Sequence, residues 1–290
     1  QASSGRGYSL DPASPLARAE WLVIADAQGM AKGARITAAA PLTTREVEEH
    51  CADRIERRSV LRWNAGEERV EARLERRLGA ITLATGPDPA PDPAAVAVFL
   101  LGIARERMET LLPPALLARA RHAGLAELSP QRLAETAEDW LLPLLEGRRD
   151  LDIGRGAIRD ALLNRLDWES RQRLDRLAPA RFSSPAATGH DNDYGDPGGP
   201  CVEVRVQALF GLDRHPTIGD PPVPLLLKLT SPAGRPIQST RDLPGFWRGS
   251  WRDVVRDIKG RYPRHRWPDE PWAEDPSLKT RRAFEAGRKG

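Results

Sequence analysis

Proline and glycine punctuate this chain densely enough to forbid long uninterrupted elements across four of its stretches. The 26 prolines and 24 glycines cluster near 86–93, 184–200, 211–224 and 260–276. Proline fixes φ and lacks an amide donor, and glycine supplies turn geometry without steric cost, so these stretches read as joints and surface loops. A chain of 290 residues divided in this way should form two or three modest cores. Hydrophobic residues at 40%, with eight tryptophans, are sufficient to fill such cores, which argues against global disorder.

Up to residue 88 the pattern is that of strands. AEWLVIAD from residue 19 and ARITAAA from residue 34 are short apolar runs joined by a turn marked by Gly29 and Gly33. Thr43 followed by Glu46 is a capping box that opens a short helix through about His50. DRIERRSVLRWN reads as another strand ending at Asn64 and Gly66. In the next, Val70, Ala72, Leu74 and Leu78 share one face and Arg69, Glu71, Arg73, Glu75 and Arg77 the other. With GRGYSL as a first strand, the order is three strands, a helix and two strands, the last running on through AITLA. That is the element order of a five-stranded OB-type barrel. GPDPAPDP at 86–93 closes the unit as a stiff linker.

Residues 89–180 read as a helical domain. Ser129 with Pro130 is an N-cap followed by a first-turn proline, and Gly147 a helix stop; Leu133, Ala137, Trp140, Leu141, Leu144 and Leu145 form an apolar face that Pro143 interrupts. From residue 181 to 276 the character is mixed α/β. HDNDYGDPGGP at 190–200 reads as a polar loop, CVEVRVQALFG as a helix stopped at Gly211, and VPLLLKLT with SPAGRPIQSTRD as a hairpin about Pro232, Ala233 and Gly234. Residues 277–290 form a basic tail expected to lack order. The fold class is thus α+β and multi-domain: an OB-like five-stranded barrel over 1–88, a helical domain over 89–180 and a C-terminal module over 181–276.

Charge is concentrated rather than abundant. Residues 245–267 hold seven Arg or Lys against two Asp, a local +5, while the whole chain carries only +3. Ser250 and Asp253 form a capping box for a helix with three faces. Trp251, Val254, Val255 and Ile258 are apolar; Arg252, Arg256 and Lys259 are basic; Asp253 and Asp257 are acidic. Around it Phe246, Trp247, Tyr262 and Trp267 mix with Arg248, Arg261, Arg264 and Arg266, a composition suited to stacking on unpaired bases while neutralising phosphates. The same residues also fit an aromatic core with an arginine rim. Arg69, Arg73 and Arg77 could line a second basic groove, although cross-strand pairing with Glu71 and Glu75 explains them as well.

Several chemistries are excluded. The chain has no GxxxxGK followed by Ser or Thr and no DEAH-like box, so it lacks a phosphate cradle and a metal-holding carboxylate for ATP hydrolysis. It has neither a GxSxG elbow nor an HExxH helix. His190, Asp191, Asp193 and Asp196 are the densest set of possible ligands, but Gly195 stands where a calcium loop needs an oxygen donor, so no metal site and no catalytic residue is assigned. Cys51 and Cys201 are single and distant, which fits a reducing cytoplasm, and no apolar run is long enough for a membrane span. The first ten residues lack signal-peptide order, and the chain begins as if cut from a longer one.

The run LLLKLTSPAGRPIQSTRDLPGFWRGSWRDVVRDIKGRYPRHRWPDEP resembles the C-terminal signature of HrpB-type DEAH-box helicases. Ser231, Pro232, Arg235, Pro236, Asp242, Leu243, Phe246, Trp247, Arg261, Tyr262, Pro263, His265, Trp267 and Pro268 carry the match. EWLVIAD, ARITAAAPL, RRLGAITL, EDWLLPLL and DWESRQRLDRLAP resemble earlier blocks of the same family. The family pattern departs at 190–196, at Trp251 and at Ser239. The resemblance implies an OB-fold at the start of this chain and motor domains, using ATP and Mg, outside it. The expected partners are then single-stranded RNA and the helicase's own motor domains; the alternative is a protein-interaction platform that docks the motor or another protein.

Overall fold

The protein is described by a computed structural model that covers residues 1–30 and 33–287. It divides into two compact units. The first comprises Gln1–Ala104 with Leu145–Asp152, the second Arg105–Leu144 with the residues from Ile153 onward.

The first unit carries strands β1 (Tyr8–Ser9), β2 (Trp21–Gln28) and β3 (Ala34–Leu42), helix α1 (Thr44–His50), strands β4 (Ile55–Asn64), β5 (Arg69–Leu78) and β6 (Ile81–Pro87), and most of helix α2 (Pro93–Glu106). Helix α1 begins with the expected capping box: Thr43 Oγ1 accepts from the Glu46 amide while the Glu46 carboxylate accepts from the Thr43 amide. The strands pair as two three-stranded sheets, β1-β3-β2 and β4-β5-β6. Among the described residues they form no closed barrel, which corrects the expected five-stranded one. The run RRLGAITLA, read as one strand, is a hairpin. Gly79 takes φ +56, which brings Leu78 opposite Ile81, and a Cβ there would overlap the Ser3 carbonyl. No residue of β1, β2 or β3 is buried, whereas β5 buries Val70, Glu75 and Leu78. Residues 145–152 return to this unit, where the Val70 amide donates to the Arg149 carbonyl over 2.6 Å.

The second unit begins with short helices: α3 (Met108–Leu111), α4 (Pro114–His122), α5 (Pro130–Glu135), α6 (Ala137–Trp140), all but the last residue of α7 (Leu142–Leu145), α8 (Arg155–Asn164) and α9 (Trp168–Leu177). Ser129 caps α5 as expected, accepting from the Arg132 amide. The apolar face from Leu133 to Leu145 is spread over three short helices. The backbone leaves helical geometry at Thr136, and Pro143 has no amide with which to continue a ladder.

A five-stranded sheet follows, in the order β13-β12-β9-β8-β7, from β7 (Arg181–Ser183), β8 (Gly189–Asp193), β9 (Cys201–Arg205), β12 (Leu226–Thr230) and β13 (Pro236–Thr240); β10 (Thr217–Ile218) and β11 (Val223–Pro224) make a separate ribbon. The hairpin about Pro232 to Gly234 is the antiparallel β12–β13 pair. Two expectations are corrected here. Residues 189–193 form a strand rather than loop, because β7 and β9 on either side satisfy their backbone. CVEVR is a strand too, paired parallel with β12, and only Val206–Leu209 turns, as a 3-10 helix. Helices α10 (Leu243–Arg248), α11 (Trp251–Lys259) and α12 (Arg281–Gly287) complete the chain. The tail expected to lack order therefore carries a helix.

The core of this unit joins Val202, Val204, Leu227 and Leu229 of the sheet to Phe210, Phe246, Trp247 and Trp251. Trp251 is fully buried, and its ring meets Trp247 edge-on at 5.3 Å and Phe210 at 5.9 Å. Such pairs add about 0.5–1.5 kcal/mol each beyond area burial. Among the described residues no helix is long and apolar enough to cross a membrane.

Candidate nucleic-acid interface

The aromatic side chains of residues 245–267 and the cations among them separate in the fold. Phe246, Trp247 and Trp251 lie in the core, and the two indole N–H groups donate to carbonyls: Trp247 to Leu212 over 3.0 Å, Trp251 to Pro268 over 2.8 Å. Trp267 is half-buried at 6.0 Å from Trp251 and donates to the Tyr262 carbonyl. Aromatics of this stretch thus pack the domain, as large apolar side chains generally do.

Helix α11 has the three faces expected of it. Trp251 is buried and Val254, Val255 and Ile258 half-buried, while Arg252, Arg256 and Lys259 are exposed. Its cap differs. Ser250 has helical dihedrals and makes no side-chain capping bond, with only Gly249 and Ser250 between α10 and α11; Asp253 pairs instead with Arg256 over 3.2 Å.

The remaining cations divide by what neutralises them. Arg248 reaches Asp213 over 2.6 Å and stacks on Trp272 at 4.9 Å. Arg266 is only 9% exposed; it ion-pairs with Glu274, donates to the Asp275 carbonyl and lies 3.6 Å over the Phe284 ring. Arg266 is thus an internal brace, and Arg248 an exposed but paired one. Arg252, Lys259, Arg261 and Arg264 are exposed and make no ion pair among the described residues. With half-neutralised Arg256, they form the positive surface of this region.

In the first unit, the β4–β5 register sets Glu56 against Arg77, Arg58 against Glu75 and Arg62 against Glu71, so charges alternate in sign across the pair. Arg77 lies 3.4 Å from Glu75; Arg69 and Arg73 are exposed without an ion pair among the described residues. These three belong to a different compact unit from the α11 cations.

The loop after β8 could place Asp193, Asp196 and Cys201 about one ion, but Lys228 already holds Asp196 at 2.5 Å and Asp193 accepts from the Gly195 amide. The Lys228 ammonium, with the Gly198 amide, keeps the Asp196 carboxyl below its usual range. His190, the sequence's other candidate there, bonds to Thr188 over 2.8 Å. Two residues escaped the sequence reading altogether. Arg281 and Phe284 of α12 line a cleft of about 670 Å³ together with Lys259, Arg266 and Trp267. Nothing in the local sequence links them to α11.

The family described as ATP-dependent helicase C-terminal, HrpB_C, matches residues 140–271. The ATP-dependent RNA helicase HrpB of Escherichia coli is 33% identical over an alignment of 302 positions that covers 97% of this chain. The chain belongs to the HrpB-type helicase family. It corresponds to the C-terminal region and spans 37% of the length of that relative. Two solved HrpB structures are similar. The E. coli DExH-box NTPase HrpB has a TM-score of 0.58 and 32% identity over 96% of this chain and 36% of its own. The E. coli DEAH/RHA helicase HrpB has a TM-score of 0.50 and 28% identity over 91% of this chain and 35% of its own.

Proposed function

We propose that this chain is the accessory C-terminal region of an ATP-dependent RNA helicase, binding or guiding single-stranded RNA beside motor domains that lie outside it. The observation that carries the reading is the set of unneutralised cations on α11 and the loop after it: Arg252, Lys259, Arg261 and Arg264, with Arg256 beside them. An exposed cation with no internal partner keeps its full attraction for phosphate, whereas a paired one must first give up its carboxylate. The relative's description as an RNA helicase supplies the class of nucleic acid. In the first unit, the strand–helix–strand order supports an OB-like ancestry, with the two sheets as an opened form of that barrel. The docking alternative depends on an exposed aromatic surface, and Phe246, Trp247 and Trp251 are in the core.

The test replaces Arg252, Arg256 and Lys259 together with Ala. None belongs to the buried stripe, so the fold should survive. RNA affinity should fall with little regard to base sequence, because phosphate contacts position a strand without reading it. The slope of log affinity against log salt should become shallower by about 2, at roughly 0.7 per lost single-strand contact. A folded variant with unchanged affinity and slope would make this surface a contact for protein instead.

A further inference from the structure

Helix α11 points its basic stripe at an opening. Arg252, Arg256 and Lys259 follow one another over about 10 Å of helix axis, and Lys259, the last, is also a wall of the cleft between the loop 260–268 and α12. At about 670 Å³ the cleft lies within the size range of sites that take a small organic molecule, roughly 300–1,000 Å³. Its other walls include Trp267, half-buried, and Phe284, which has the Arg266 guanidinium on one face at 3.6 Å.

The electrostatics of the cleft are sorted by pairing. Glu274 is taken by Arg266 and Glu285 by Arg281, the latter at 3.1 Å between two exposed side chains. Lys259 has no such partner among the described residues, so the cleft retains one uncompensated positive charge at the end where the stripe arrives. Arg266 is held by Glu274 and the Asp275 carbonyl, so its guanidinium plane is fixed before any ligand comes. Aromatic faces and guanidinium planes accept a nucleobase, and an ammonium accepts the phosphate attached to it.

Resting on the RNA reading above, we infer that this cleft takes one unpaired nucleotide of the strand that α11 holds by its phosphates. Lys259 meets the phosphate, Arg281 joins it by exchanging Glu285 for the phosphate, and Trp267 with the face of Phe284 that Arg266 leaves open lines the base. Helix α12 is then half of a binding site, and not a terminal appendage.

The experiment uses the whole chain and a fluorescein-labelled oligouridylate of about eight nucleotides, with affinity read by anisotropy at several salt concentrations. Arg281→Ala should weaken binding and make the salt slope shallower by about 0.7. Phe284→Ala should weaken it at least about fivefold, the lower end of what a lost base stack costs, with a slope like that of the parent. Thermal melting of each variant checks that α12 remains packed, and Arg281→Lys should restore the slope. If the parent and both alanine variants bind alike while Arg252→Ala and Arg256→Ala weaken binding, the cleft inference fails and the RNA reading stands. If the parent binds no RNA, both fall. Competition by uridine or adenosine monophosphate separates the sources of the ligand. Displacement of the oligonucleotide by micromolar mononucleotide would make the cleft a free-nucleotide site and overturn the strand assignment.

Discussion

The contrast between Arg252 and Arg266 is instructive at the residue scale. They are fourteen positions apart and chemically identical, yet one is exposed and unpaired and the other is 9% exposed beneath Phe284. Composition treats them alike. Only the return of residues 274–284 over the loop distinguishes them, so this part of the candidate surface was illegible until the chain was folded. A second residue shows a consequence of packing. His215 accepts from the Leu243 amide at Nδ1 and donates from Nε2 to the Leu225 carbonyl, which requires the neutral ring; Asp242 and Arg241 are its charged neighbours. Burial lowers its affinity for a proton. Since the unfolded ring titrates near 6.5, the unfolded state binds the proton first as pH falls. The stability contributed by neutral His215 is therefore complete above about pH 6.5 and declines as pH drops below it, towards the lower folded value. We expect the urea midpoint of the chain to fall between pH 7 and 5.5, and His215→Gln to flatten that decline. His122, His190 and His265 are shifted the same way by burial and keep part of the slope in the variant.

Among the elements, legibility follows the range of the forces involved. Helices α1 and α5 begin where their capping residues stand, because a Thr or Ser hydroxyl reaches an amide three residues on whatever the rest of the chain does. Strand β8 is the opposite case. His190, Asp191, Asn192 and Asp193 have the composition of a loop, and become a strand because β7 and β9 supply backbone partners from outside. The sheets also differ in how well they are held. Sheet β1-β3-β2 has no buried residue, while β9 and β12 carry Val202, Val204, Leu227 and Leu229 at 1% exposure or less. Few buried contacts mean inexpensive local opening. Amide hydrogen exchange should therefore be fastest, among paired strands, in β1 to β3 and slowest in β9 and β12. Equal protection of the two sheets would show that the first is held by something other than its own packing.

At the scale of the molecule, the absence of a phosphate loop and of an acidic metal-holding box leads to a plain expectation: the isolated chain should release no phosphate from ATP, with or without RNA, in a coupled turnover assay. Turnover in a homogeneous preparation would require an active site of a kind that none of its motifs suggests. What the amino-acid order determined alone was the family, the α+β class, the capped helices and the apolar stripe of α11. Each depends on residues close in sequence, where periodicity, capping and spacing act directly. The tertiary structure decided the rest. The strands paired as two sheets, and Gly79, turning beside the Ser3 carbonyl, made a hairpin of what reads as one strand. Arg248 and Arg266 became paired braces while Arg252, Lys259, Arg261 and Arg264 stayed available, and α12 came to line a cleft with Lys259. Those outcomes depend on which distant carboxylate, carbonyl or ring arrives at a side chain, and burial and charge pairing are properties of that meeting and not of either residue by itself.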